Sequence, residues 1–288
     1  MANMRSIRTR IKSVKNTQQI TKAMKMVAVS KLRRAQSAMQ TMTPFAEKSQ
    51  EILDTLLSGS TVPENRFISP KKEIKRVCYV LFVGNRGLCG VYNSSLMHFM
   101  QSIAEDDGRD ISLVICGRWG KDVIARSGLP VRRSFTELSD TPSSVEALEI
   151  SEYLKMLYLN DETDEIHLVY QHYISALRQE PTQTQLLPAK PEKLRENAAG
   201  KDYLFAPDAS EVLESVMQLY INNKVYSVML EAKCGEHSSR MTAMTAATDS
   251  TKTLIDSLSL ALNRARQAAI TTEISEIVGG AAALKKKK

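Results

Sequence analysis

A parallel α/β sheet domain set between two long terminal helices that pair as an antiparallel coiled coil is the fold predicted, and three observations predict it. From Arg5 to Leu57 there is no glycine and a single proline, and apolar residues recur at helical spacing. From Leu213 to Ala269 that spacing returns. Between the two lie three short apolar runs rich in β-branched and aromatic residues, separated by segments of helical pattern.

In the first helix one heptad register links Ile7, Ile11 and Val14 to Ala28, Leu32, Ala35 and Met39, and continues through Met42 and Ala46 to Leu53 and Leu56. The same seam turns polar at Gln18, Thr21 and Lys25. There Ile20, Met24 and Val27 carry the spacing on a neighbouring face, so this part of the helix is expected to offer apolar surface to something other than its mate. Pro44 is expected to kink the helix near Met39 to Thr43, because an interior proline removes a backbone donor and crowds the preceding turn.

The last helix holds a matching register through Leu230, Cys234, His237, Met241 and Met244, then Ile255, Leu258, Leu262, Ala265 and Ala269, with its own polar middle at Thr248 and Thr251. Opposing the two polar stretches pairs positions whose numbers add to about 270, so Ile7 faces the neighbourhood of Leu262 and Leu32 that of His237. The first helix then runs out opposite Ile270, and residues 271–288 form a helix without a companion, roughly 20–27 Å long at 1.5 Å per residue.

The middle contains RVCYVLFVG (76–84), ISLVIC (111–116) and IHLVYQHYI (166–174), with helical segments near 91–105, 119–127 and 143–159. Strand and helix in alternation predict a Rossmann-like parallel sheet covered by helices. The expected divisions are a helix over 1–57, a linker over 58–72, the α/β domain over 73–207 and the C-terminal helix with its tip over 208–288. Residues 188–202 are expected to form an exposed segment before the chain returns to the helix.

Composition narrows the function. No run of eighteen apolar residues exists and the first residues lack a signal-peptide pattern, so no membrane span is expected and the cytosol is the default compartment. Cys78, Cys89, Cys116 and Cys234 form no CxxC pair and sit among apolar neighbours, as reduced buried thiols do. Ten basic residues fall between Arg5 and Arg34, and no acid precedes Glu47. Such a block expects an anionic partner, whether nucleic acid, acidic lipid or a protein presenting carboxylates. The first aromatic residue is Phe45, which leaves the bases of a single strand nothing to stack on along the block.

VGNRGLCGVYN (83–93) is a glycine-rich turn between a strand and a helix start, the place where some folds seat a phosphate. Its spacing is GxxGxxG, which meets neither nucleotide fingerprint, and a tight structural turn is the stronger expectation. The four histidines make no HExxH, and His167 and His172 are expected to pack in or beside a strand. DETDE (161–165) reads as a solvated turn, lacking the spacing of a calcium loop. No nucleophile elbow occurs. The chain is therefore not expected to act as an enzyme alone, and no cofactor or metal is expected.

Three separated stretches, RIKSVKNTQQITKAMKMVAVSKLRRAQ (10–36), NRGLCGVYN (85–93) and RMTAMTAATDSTKTLIDSLSLALNRARQAAITTEISEIVGGAAAL (240–284), resemble in order and spacing the gamma subunits of bacterial F-type ATP synthases. The resemblance runs the full length and is weakest in the middle. It departs from the family pattern at Gly84 and Asn85, where Ser-Asp is usual, at Val91, usually glycine, and in the four terminal lysines. It implies the central shaft of a rotary motor, a non-catalytic subunit inside a ring of three alpha and three beta subunits. The epsilon subunit and the c-ring of the membrane sector would sit at its foot, on the cytoplasmic face of the bacterial inner membrane, and nucleic acid would be no partner. By the same resemblance Met24, Lys25, Arg266 and Gln267 would meet loops of the beta subunits, and Ile270, Ile274 and Ile277 would bear on an apolar sleeve. Tyr203 and Phe205 would lie at the foot, and Lys285 to Lys288 would protrude past the sleeve or be disordered.

Overall fold

The computed structural model describes residues 4–57, 64–69, 71, 73–120, 128–190 and 208–285. In chain order the elements are α1 (Met4–Leu57), β1 (Arg76–Phe82), α2 (Tyr92–Asp106), β2 (Asp110–Cys116), β3 (Val131–Phe135), α3 (Ser144–Leu159), β4 (Glu165–Tyr173), β5 (Gln179–Leu187) and α4 (Ala209–Lys285). They form two compact units, one of residues 1–27 with 242–288 and the other of residues 28–241.

In the larger unit the five strands lie in the order β3-β2-β1-β4-β5. β1, β2, β3 and β4 are parallel, and β5 returns antiparallel to β4, so the sheet is mixed where a wholly parallel one was expected. The alternation of β1 explains why it is central. Cys78, Val80 and Phe82 face one apolar layer with Ile150 and Leu154 of α3, Met217 and Val225 of α4, and Leu53 of α1. Val77, Tyr79, Leu81 and Val83 face the other, with Leu96, Met97 and Met100 of α2. Side chains two apart share a face, and both faces are covered, so β1 reads as a continuous apolar run. α3 starts on a capping box: the Ser143 hydroxyl accepts from the Glu146 N–H at 3.3 Å, and the Glu146 carboxylate accepts from the Ser143 N–H at 2.7 Å.

α1 and α4 also pack together in this unit. Leu32 and Ala35 cluster with Cys234, flanked by Met39 and Met241. Further along, the Asn223 amide donates to the Ser49 hydroxyl at 2.6 Å, and their numbers add to 272 against the expected 270. α1 runs through Pro44 without a break, and two neighbouring threonines turn their hydroxyls back to helix carbonyls, Thr41 to Ser37 and Thr43 to Met39.

Three expectations need correction. Residues 188–202 do not begin as an exposed segment: Ala189 is buried and its N–H donates to the Phe67 carbonyl at 2.7 Å, while residues 191–202 lie outside the described residues. DETDE is solvated only at its start, because Asp164 and Glu165 are buried against Arg76 and Arg109. His167 packs as expected, stacked on Tyr79, whereas His172 is half exposed and meets the Glu231 carboxylate at 3.0 Å. All four cysteines are free and buried.

Candidate partner-binding surfaces

The smaller unit is built from the start of α1 and the end of α4. Thr21 Oγ1 and Thr248 Oγ1 stand 2.9 Å apart, so the polar stretches do oppose each other and their numbers add to 269. Around them the seam is apolar: Ile7 and Met244 are buried, and Ile11, Val14, Ile255, Leu258, Leu262, Ala265 and Ala269 are half-buried. Past this point burial stops. Every described residue from Ile270 to Ala281 is exposed although the helix continues, which is where the companion helix was expected to run out.

Exposed apolar side chains mark what this pair leaves open. Ile20, Met26 and Val27 are more than half exposed on α1, and Met24 and Lys25 beside them are half-buried. On α4, Ile270, Ile274 and Ile277 are 47%, 56% and 71% exposed, and Arg266 and Gln267 are exposed one turn earlier. Met26, Leu254 and Leu260 belong to the exposed apolar set as well and were missed in the sequence, where they fall outside any repeating register. Among the described residues Arg8, Arg10, Lys12, Lys15, Lys22 and Lys25 enter no ion pair with an acid of the chain. Tyr203, Phe205 and Lys286 to Lys288 lie outside the described residues, as does the side chain of Lys285.

The glycine-rich turn in the larger unit is a different kind of place. In doubly wound sheets a ligand enters at the carboxyl ends of the strands, where the strand order reverses. Here α4 covers those ends. Phe82, Val83 and Cys116 face Met229, Ala232, Lys233 and Glu236 across a cavity of about 10 Å³, the lower limit for a single water. The Glu236 carboxylate is 1% exposed, and it pairs with Lys233 at 2.9 Å and Arg240 at 2.7 Å. Burial alone would raise its pKa, but the two cations outweigh burial and hold it below the ordinary glutamate range. α2 has no side-chain cap at its N-terminus, and Leu88 in the turn takes a left-handed φ of 61°. No cluster of His, Cys, Asp or Glu among the described residues could hold a metal ion.

The larger unit is a sheet with helices on both faces, the terminal helices pack on each other within each unit, and the C-terminal one runs on alone; the class is an α/β protein with paired terminal helices. The family model described as ATP synthase matches residues 3–284. The chain is 43% identical over 284 residues to the ATP synthase gamma chain of Desulfitobacterium hafniense, covering 99% of this chain and all of that one. It is 42% identical over 286 residues to the gamma chain of Moorella thermoacetica, with the same coverage. Among solved structures it is similar to a chain of the Euglena gracilis mitochondrial ATP synthase rotor, with a TM-score of 0.70 over 93% of this chain and 98% of that one, at 18% identity. A chain of the Tetrahymena thermophila mitochondrial ATP synthase central stalk and c-ring gives 0.59 over 79% and 99%, at 24% identity. The chain belongs to the ATP synthase gamma chain family. No described helix is long and apolar enough to cross a membrane.

Proposed function

We propose that the chain is the central rotor shaft of an F-type ATP synthase. Ion flow turns a c-ring in the membrane sector, the chain turns with it, and its unequal faces drive the catalytic beta subunits through successive conformations to make ATP, or to hydrolyse it in reverse. The observation that carries this reading is the end of α4, a helix that outruns its companion at Ile270 and continues exposed with Ile270, Ile274 and Ile277 on one side. Such a surface is costly in water and is stabilised inside an apolar sleeve, which a ring of three alpha and three beta subunits supplies. The basic residues of α1 that find no acid among the described residues suit carboxylates on that ring. Exposed pairs of this kind contribute about 0.2–1 kcal/mol each, weak enough for a rotor that must leave every position.

In this role Met24, Lys25, Arg266 and Gln267 contact beta-subunit loops, and Tyr203 and Phe205 face the c-ring and the epsilon subunit. The complex holds the chain peripherally on the cytoplasmic face of the bacterial inner membrane, with nucleotides on the ring and no nucleic acid involved. Arg266→Ala or Gln267→Ala in the reconstituted complex is expected to weaken coupling or assembly while leaving nucleotide affinity of the ring within about twofold. Unchanged synthesis and hydrolysis in both variants would remove these residues from the role.

A further inference from the structure

The glycine-rich turn, residues 84–91, has no part in the contacts just described, yet it holds α4 closely. A Cβ added at Gly84 would stand 3.1 Å from Cδ and 3.2 Å from Oε1 of Glu236, so the carboxylate lies on bare backbone. Arg240 donates through Nη2 to the carbonyls of Arg86 at 3.2 Å and Gly87 at 3.4 Å, in addition to Glu236. The Tyr92 hydroxyl donates to the Ala232 carbonyl at 2.8 Å, and its ring would be 3.1 Å from a Cβ at Gly235. Two other segments grip the same stretch. The His237 ring meets the Asp140 carbonyl, and the Ser238 and Ser239 hydroxyls reach Ala176 and Gln179.

These contacts are more directional than helix packing requires. A buried carboxylate between two cations is expensive to desolvate, and apolar residues of similar size would hold the helix as firmly. What the ionic arrangement adds is a fixed rotational setting. Turning α4 about its axis would strip Arg240 from two carbonyls, break the Tyr92 bond and lift Glu236 off the glycine.

We propose that the glycine-rich turn and Tyr92 form a socket keyed onto Ala232 to Arg240 of α4, with Glu236 as the key, and that this joint passes torque between the α/β domain and the helix. The proposal rests on the rotor reading. It assigns the turn to a partner within the chain, in the place where other doubly wound folds hold a phosphate.

The test uses the assembled complex in membrane vesicles, with ATP hydrolysis and ion pumping measured on the same preparation. Glu236→Gln is expected to leave hydrolysis within twofold and to lower ions pumped per ATP at least threefold, with Glu236→Asp recovering half or more of the loss. Gly84→Ala, which crowds the key without removing a charge, is expected to lower the same ratio about twofold, and it decides the matter if the Glu236→Gln complex fails to assemble. An unchanged ratio in Gly84→Ala and in any Glu236→Gln complex that assembles overturns the socket, as does a parallel fall of assembly and hydrolysis with the ratio intact. A wild-type complex in which a fluorophore on this chain does not turn during hydrolysis would instead sink the rotor reading, and the two failures are thereby distinguishable.

Discussion

Thr21 Oγ1 and Thr248 Oγ1 meet at 2.9 Å in the middle of the smaller unit, and each hydroxyl also reaches a carbonyl of its own helix, Gln18 for Thr21 and Met244 for Thr248. Two hydroxyl protons serve three contacts, so the pair contributes little to stability and much to register. Cysteines at both positions are expected to form a disulfide on mild oxidation, because side chains this close fall within bridging range. Thr21→Cys with Ser259→Cys is expected to stay reduced, since eleven helical residues displace the second thiol by about 16 Å. Bridging in the second pair and not the first would refute the register.

Leu32 and Ile274 are both large and apolar, yet one is 5% and the other 56% exposed. Leu32→Ala is expected to cost the full chain about 2–5 kcal/mol in denaturant unfolding, through lost burial and the cavity left behind. Ile274→Ala is expected to cost under about 0.5 kcal/mol, as surface substitutions do. A large loss at Ile274 in the isolated chain would mean that the end of α4 is packed against the chain itself.

Gly117 has a φ of +125°, and a Cβ there would stand 2.2 Å from the Val83 carbonyl oxygen. No rotamer relieves a clash with backbone. Gly117→Ala is expected to destabilise the full chain by about 3 kcal/mol or more, read as a lowered denaturation midpoint. A neutral outcome would contradict the close approach of β1 and β2 at their carboxyl ends.

His167 and His237 are both held below the ordinary histidine pKa of 6.5, chiefly by burial. Glu165 and Gln183 face His167, with Arg109 and Lys190 nearby; Glu236, Arg240, Lys233 and the Asp140 carbonyl surround His237. A depressed folded pKa favours the unfolded chain once protons are plentiful, so the stabilisation is complete above about pH 6.5 and declines below it. His237→Gln is expected to flatten the loss of stability between about pH 7.5 and 5.5. A chain that becomes more stable on acidification through that window would reverse the sign.

Much of the fold was legible because its buried elements are apolar on a regular period. β1, β2 and β4 stood out as continuous apolar runs, and the constant sum of paired seam positions located both the Thr21–Thr248 contact and the end of pairing at Ile270. β3 (VRRSF) and β5 (QEPTQTQLL) escaped notice because they are edge strands made mostly of polar residues, β3 largely exposed and β5 largely half-buried, and Pro181 argued against a strand where an edge tolerates it. Glu236 escaped for a different reason. An acid on a helix normally reads as solvated, and only its spacing of three and four residues to Lys233 and Arg240 signalled a paired charge.

The central claim is tested most directly by watching this chain move. With the alpha and beta ring fixed to a surface and a probe attached to an exposed residue of the larger unit such as Glu137, addition of ATP is predicted to turn the probe continuously in one direction, pausing at three angles per revolution. A complex that hydrolyses ATP at its full rate while the probe holds a single angle would contradict the account.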